Sequence, residues 1–322
     1  MGVVNRMDDK IATRQAFGDT LLDVGSDPKI VVVSCDLSGA TGTKSFGKKY
    51  PERFFEVGIA EQNGMGIAAG LAMEGFRPFI SSFGAFITRR AYDQIMISAA
   101  YSNAGIVIVG THSGLAIGKD GATQMGINDL SLMLNVPNVR VFQPADAIET
   151  KEIVKYLADA DFMAYLRLSR KPQPNILPND YKFTPNKLAT IKDGTDIIIL
   201  ATGDCVLHSY NSALELDKLG ISTAVLNAST LKPFDKDTLM NYSSNCKGIV
   251  TVEDHSISGG LGTLVAETLA EKGCDKKLLK IGIGESFGES GKPEDLYKKY
   301  KLDQEGIVDS IKKFYEPIRD YR

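Results

Sequence analysis

The sequence predicts an α/β protein made of two doubly wound parallel-sheet domains. Three observations carry this. Short β-branched runs alternate with longer helical stretches. The runs are apolar throughout, as strands covered on both faces must be. A proline-rich break near the middle divides the alternation in two. The length of 322 residues fits two domains at roughly 100–200 residues each.

Taken in order, the first half reads as helix over 12–24, strand over 30–34 (IVVVS) and helix over 60–74. Strand 78–81, helix 86–99, strand 106–110 (IVIVG) and helix 129–134 follow, then strand 139–142, helix 146–158 and strand 163–168. From 171 to 190, Pro172, Pro174, Pro178 and Pro185 stand amid little apolar periodicity. This places a linker at 176–190, between domains at 1–175 and 191–322. The second half resumes with strand 197–201, helix 207–219, strand 223–226 and helix 235–241, then strand 248–252, helix 261–272, strand 278–283 and a helical tail.

Composition excludes several classes. With 43% hydrophobic and 24% charged residues, the chain is globular rather than disordered or fibrous. Lys+Arg 37 against Asp+Glu 40 gives net −3, which offers no footprint for nucleic acid or an anionic membrane. No apolar run approaches the roughly 20 residues of a membrane span, and MGVVNRMDDK lacks the apolar stretch of a signal peptide, so a cytoplasmic protein is expected. The 4 cysteines and 3 histidines form no C-x-x-C or H-E-x-x-H pattern, so no metal ligands are expected from this chain.

Four stretches carry candidate chemistry. Glu61 opens a helix that is small and apolar on nearly every side, predicting burial, with another chain as one candidate for what covers it. Its carboxylate either answers the helix dipole or shares a proton with a ligand nitrogen. Phe83, Phe86 and Arg90 follow helical spacing: core aromatics with an outward-snorkelling arginine, or an aromatic shelf for a flat ring. After strand 106–110, a glycine-rich loop gathers His112, Lys119, Asp120 and Gln124 at the strand end where α/β proteins bind ligands. Arg14 and Arg170 are candidate phosphate ligands, the latter at the same sheet edge as His112. In the second half, Glu253-Asp254-His255 precedes Gly259-Gly260-Leu261-Gly262. That helix start could bind an anion, but a structural turn or subunit contact is the better reading.

Together these segments resemble the second half of transketolase. The likeness runs from Ile11-Ala12-Thr13-Arg14 past Phe287-Gly288-Glu289-Ser290-Gly291-Lys292-Pro293. It includes Ile59-Ala60-Glu61-Gln62-Asn63, Thr111-His112 through Asp120-Gly121, and Val252-Glu253-Asp254-His255 with Gly259-Gly260, all in order. The resemblance implies a pyrimidine-binding domain followed by a transketolase C-terminal domain, and thiamine diphosphate as cofactor. Glu61 then matches the glutamate that hydrogen-bonds the aminopyrimidine ring and drives cofactor activation. Phe83 and Phe86, with Arg90 on the same segment, match the pocket around that ring, and Asp36 an acidic residue close to the cofactor. His112 and Asp120 match residues that bind sugar hydroxyls, and Arg14 and Arg170 the pair that grips the substrate's phosphate. Lys119 and Gln124 lie beside them.

In that family the diphosphate is anchored through a divalent metal held by G-D-G and a later asparagine. Here the D-G pairs, Asp120-Gly121 and Asp193-Gly194, each follow a lysine. The resemblance therefore implies the small subunit of a split transketolase. An N-terminal partner chain would supply Mg²⁺ and the diphosphate contacts, in an α2β2 heterotetramer acting on sugar phosphates. Three positions depart from the pattern: Ala40 where serine is usual, Lys119 where an acid is common, and Gln124 where many members have histidine. They sit toward the anion end and admit a sulfonate in place of phosphate. Alternatives are a 1-deoxyxylulose-5-phosphate synthase, the beta chain of a 2-oxo-acid dehydrogenase, or a non-catalytic remnant.

Overall fold

The computed structural model describes residues 6–319. Its strands are β1 (Arg6–Ile11), β2 (Ile30–Ser34), β3 (Phe54–Glu56), β4 (Arg77–Phe83), β5 (Val107–Thr111), β6 (Arg140–Phe142), β7 (Ala164–Arg167) and β8 (Gln173–Asn175). The second half adds β9 (Ala189–Lys192), β10 (Ile197–Ala201), β11 (Thr223–Asn227), β12 (Thr230–Lys232), β13 (Gly248–Ser256) and β14 (Lys277–Ile283).

Seven strands form the first sheet in the order β12-β6-β7-β5-β4-β2-β3, parallel except for β12. Five form the second, β14-β13-β10-β11-β9, parallel except for β9. Helices cover both sheets. Every residue of β2, β4, β5, β7, β10 and β11 is buried. That is why these strands read as unbroken apolar runs rather than as alternation. β1 and β8 make a separate antiparallel pair.

Sequence patterns do not reveal β1, β3, β8, β9 and β12. Each is short and carries no period of its own. β12 matters most, because a strand from the second half completes the edge of the first sheet and interlocks the two units. β9 begins within the stretch read as linker, and that stretch is no free tether: Ile176, Leu177, Tyr181 and Leu188 are all buried. Asp146 holds it. One carboxylate oxygen caps the helix Ala147–Ala158 by accepting the Glu149 N–H, and the other accepts the N–H groups of Ile176 and Leu177. Glu149 adds Tyr181 Oη at 3.0 Å and Asn227 Nδ2 at 2.9 Å.

The predicted helix 86–99 is in fact three pieces. Gly84–Arg90 is α-helical, Tyr92–Gln94 is a single turn and Ile95–Ala100 is a π-helix. The break falls at Ala91, whose φ of −102° and ψ of 17° leave helical geometry. The expectation of burial for the helix Glu61–Met73 also needs correcting. Gln62, Asn63, Gly66, Gly70 and Met73 are exposed in the single chain. A Cβ added at Gly66 or Gly70 would meet nothing within 4 Å.

A buried charge network joins the two sheets. Arg167, at the end of β7, is fully buried and uses its whole guanidinium. Nε donates to Asp129 at 2.9 Å, Nη1 to Asp254 at 2.7 Å, and Nη2 to the Gly126 carbonyl at 2.8 Å. Tyr165 donates to Asp129 at 2.6 Å and Tyr297 to Asp254 at 3.1 Å. Removing one partner of such a network leaves charges stranded in low dielectric. Arg167→Leu is therefore expected to lower stability by about 3–5 kcal/mol, read from urea unfolding. A loss under about 1 kcal/mol would show that the network behaves like a surface pair.

Candidate active site

The loops after β2, β4, β5 and β7 rise from one edge of the first sheet, at the carboxyl ends of its strands. They carry nearly all the candidate residues. Two of these residues adopt left-handed backbone conformations: Asp36 at φ 59° and His112 at φ 55°. Non-glycine residues at positive φ cost about 1–3 kcal/mol and cluster at functional sites.

Glu61 opens its helix with a carboxylate only 1% exposed. Oε1 accepts from the Ser82 hydroxyl at 3.1 Å and Oε2 from Arg90 Nη1 at 2.7 Å. Arg90 does not snorkel outward. Its guanidinium folds back over the Phe86 ring, 4.8 Å from the centroid, while pairing with Glu61. Phe83 ends β4 and caps the next helix rather than lying within it. Its ring stacks on Phe86 at 5.6 Å and on His112 at 4.0 Å. The three rings and the carboxylate thus form one surface. A planar N–H donor (the guanidinium) already lies on an aromatic face and bonds to Glu61, the contact an aminopyrimidine would need. Each Glu61 oxygen accepts one bond and keeps capacity for another, so the residues fit such a ring. Beside them Cys35 is buried, and burial followed by the Glu61 charge pushes its thiol up to about 12, so it stays protonated.

His112 is buried, with Nδ1 at 3.0 Å from the Thr111 hydroxyl. Burial first, then the charges of Arg14 and Arg170, hold its pKa down at about 3. Arg14 donates from Nη1 to the Ala40 carbonyl at 2.6 Å. Its Nε is buried without a partner among the described residues. Burial, then Arg170, lowers its pKa. Arg170 reaches Asp120 at 3.2 Å and the Ile117 carbonyl at 3.1 Å. These residues converge beside a cleft of about 380 Å³ whose lining includes Lys119, Asp120, Arg170, Lys171 and Lys292. Gln124 is outside that lining, its side chain taken by Thr123. Asp36 leaves its carboxylate exposed while its N–H donates to Glu56 at 2.7 Å.

The second-half motif is structural. Glu253 is buried and accepts the Leu261 and Gly262 N–H groups, both at 2.8 Å. The anion position at that helix start is thus filled by the chain's own carboxylate. Asp254 supports the site from behind. Gly114, at φ 74°, packs so closely that a Cβ there would lie 1.9 Å from Asp254 Oδ2. Sequence reasoning misses Asp129, Arg167, Asp204 and Tyr297. The available signal is an arginine at the end of an otherwise apolar strand.

Among the described residues, no cluster of three His, Cys, Asp or Glu side chains is placed to hold a metal. No helix among them is long and apolar enough to cross a membrane.

The geometry is that of two α/β domains carrying a carboxylate, an aromatic surface and an arginine pair on one sheet edge. Residues 9–174 match the transketolase pyrimidine-binding domain and 186–307 the transketolase C-terminal domain. One of the two chains of an apulose-4-phosphate transketolase from Phocaeicola vulgatus is 36% identical, covering 94% of this chain and 97% of that one. A 6-deoxy-6-sulfo-D-fructose transketolase subunit from Clostridium sp. is also 36% identical, over 92% of each. A solved structure described as a split gene transketolase, inactive beta4 tetramer, superposes with TM-score 0.86 at 38% identity, covering 96% of this chain and 99% of that one. The chain belongs to the transketolase family and corresponds to the C-terminal, small-subunit half of a split transketolase.

Burial holds His208 and His255, like His112, below the usual range, each at about 4. All three are neutral at physiological pH. In the unfolded chain His112 binds its proton near pH 6.5, whereas folded it binds none until about 3. The unfolded state therefore gains protons first as pH falls, and His112 makes the fold less stable below about pH 6.5. Histidine resonances followed by NMR are expected to show no midpoint between about pH 5.5 and 8. A His112 midpoint near 6.5 would contradict the burial argument.

Proposed function

We propose that this chain is the small subunit of a thiamine-diphosphate-dependent transketolase. The assembled enzyme moves a two-carbon ketol unit from an anionic ketose to an aldose acceptor. The observation that carries this is the Glu61–Phe83–Phe86–His112 surface ending at Arg14 and Arg170: a cofactor face and an anion grip on one sheet edge. The cofactor, when bound, supplies the carbon nucleophile and electron sink for ketose cleavage.

This chain's own residues do the rest. Glu61 holds a proton-sharing bond to the ring nitrogen, with Arg90 giving up its contact as the ring arrives. Phe83 and Phe86 carry the ring's face. His112, kept neutral, offers Nε2 to a substrate hydroxyl while Thr111 holds Nδ1. Arg14, with its unpaired Nε, and Arg170, steadied by Asp120, hold the distal anion. Asp36 lies close to the cofactor, and Lys119 with Gln124 borders the anion end.

An N-terminal partner chain would bring Mg²⁺ and the diphosphate contacts. The open face of Gly66, Gly70 and Met73, next to Glu61, suits such a chain or a second copy of this one, within an α2β2 assembly. The domain limits we favour are 1–175 and 191–322, joined by 176–190, in a cytoplasmic enzyme.

Co-expressed with its N-terminal partner, the chain is expected to catalyse ketol transfer. Glu61→Ala should cost about 10²–10⁴-fold in kcat, and unchanged activity would overturn the assignment. The two relatives of equal identity act, by name, on a phosphate and on a sulfonate sugar. Lys119 adds positive charge without phosphate-specific geometry, so fructose 6-phosphate and its 6-sulfo analogue should turn over within about tenfold of each other. A large preference for phosphate would exclude the sulfosugar reading.

A further inference from the structure

We propose that Asp204, from the C-terminal half, positions the anion-binding arginines Arg14 and Arg170 by acting through Ser169. This rests on the reading of those arginines as the anion grip.

Ser169 is the node between them. Its N–H donates to the Thr13 hydroxyl at 2.8 Å, and its carbonyl accepts the Arg14 N–H at 3.3 Å. The Thr13 hydroxyl also reaches that carbonyl, at 3.4 Å. On the other side, Ser169 Oγ accepts the Lys171 N–H at 3.2 Å, closing a turn around Arg170. One serine therefore fixes the backbone beside both arginines, which come from opposite ends of the first domain. The remaining bond of Ser169 Oγ runs to Asp204 Oδ2, at 2.5 Å.

Asp204 gives up an easier bond to do this. It occupies the N-cap position of the helix Cys205–Lys218, where a carboxylate ordinarily accepts a first-turn N–H. Here its side chain makes no cap bond, and Oδ1 is buried without a partner among the described residues. The carboxylate crosses instead to the other domain. A local preference overridden in this way marks a functional constraint. The device lets the second domain, which contributes no cofactor-facing residue, control the width of the anion grip.

The test uses the reconstituted pair of subunits. Donors are fructose bearing whichever 6-anion the wild-type pair turns over better, and unsubstituted fructose. Ser169→Ala and Asp204→Ala should raise KM for the anionic donor about tenfold and change kcat less than about threefold. Their kcat/KM for unsubstituted fructose should stay within about twofold. Asp204→Asn, whose amide oxygen still accepts the Ser169 hydroxyl, should recover most of the lost KM. Thermal unfolding of each variant checks that it is folded. An unchanged KM, an equal loss on both donors, or no recovery in Asp204→Asn would overturn the positioning role while leaving the function standing. A wild-type pair that transfers no ketol unit from either donor would instead overturn the function, and this inference with it.

Discussion

The site depends on one buried guanidinium. Arg167 ends β7 and is held by Asp129 from the first half and Asp254 from the second. Its neighbours inherit that fixed position. Ser169 and Arg170 follow it by two and three residues. Asp254, held in turn, backs the Gly114 turn that follows His112. A buried ion pair of this kind is a weak source of net stability, because desolvation offsets much of the attraction. What it provides is a defined relation between two domains whose apolar surfaces alone would allow sliding.

Charge is arranged on a gradient across the sheet edge. At one end, the buried Glu61 carboxylate sits among rings and Arg90. At the other, Arg14 and Arg170 stand close enough that Arg170's charge lowers Arg14's pKa and helps keep His112 neutral. Holding two cations together without an anion between them is costly, and a bound anion relieves it. An imidazole kept neutral between them can accept or donate a hydrogen bond without adding to the repulsion.

How much of this is legible in the sequence follows from where the interactions lie in the chain. The buried strands announce themselves because a covered strand is apolar throughout, as IVVVS and IVIVG are. Glu61, the aromatics and the His112 loop stand out because unusual residue types are clustered locally. β12 is illegible, since three residues with no period become a strand only by pairing with β6. Asp204 is equally silent. A carboxylate before a helix reads as a cap, and only the assembled fold shows it turned toward Ser169. Helical spacing alone points Arg90 outward, yet it folds back because Glu61 and the Phe86 face offer more than water does.

On the proposed function this chain is half of an active site, able to present a ring-binding face but not to hold a diphosphate. Calorimetric titration of thiamine diphosphate with Mg²⁺ measures that directly. Saturable binding is expected when the chain is paired with its N-terminal partner, one cofactor per Glu61, and none to the chain alone. Equally tight binding to the isolated chain, or none to the assembled pair, would contradict it.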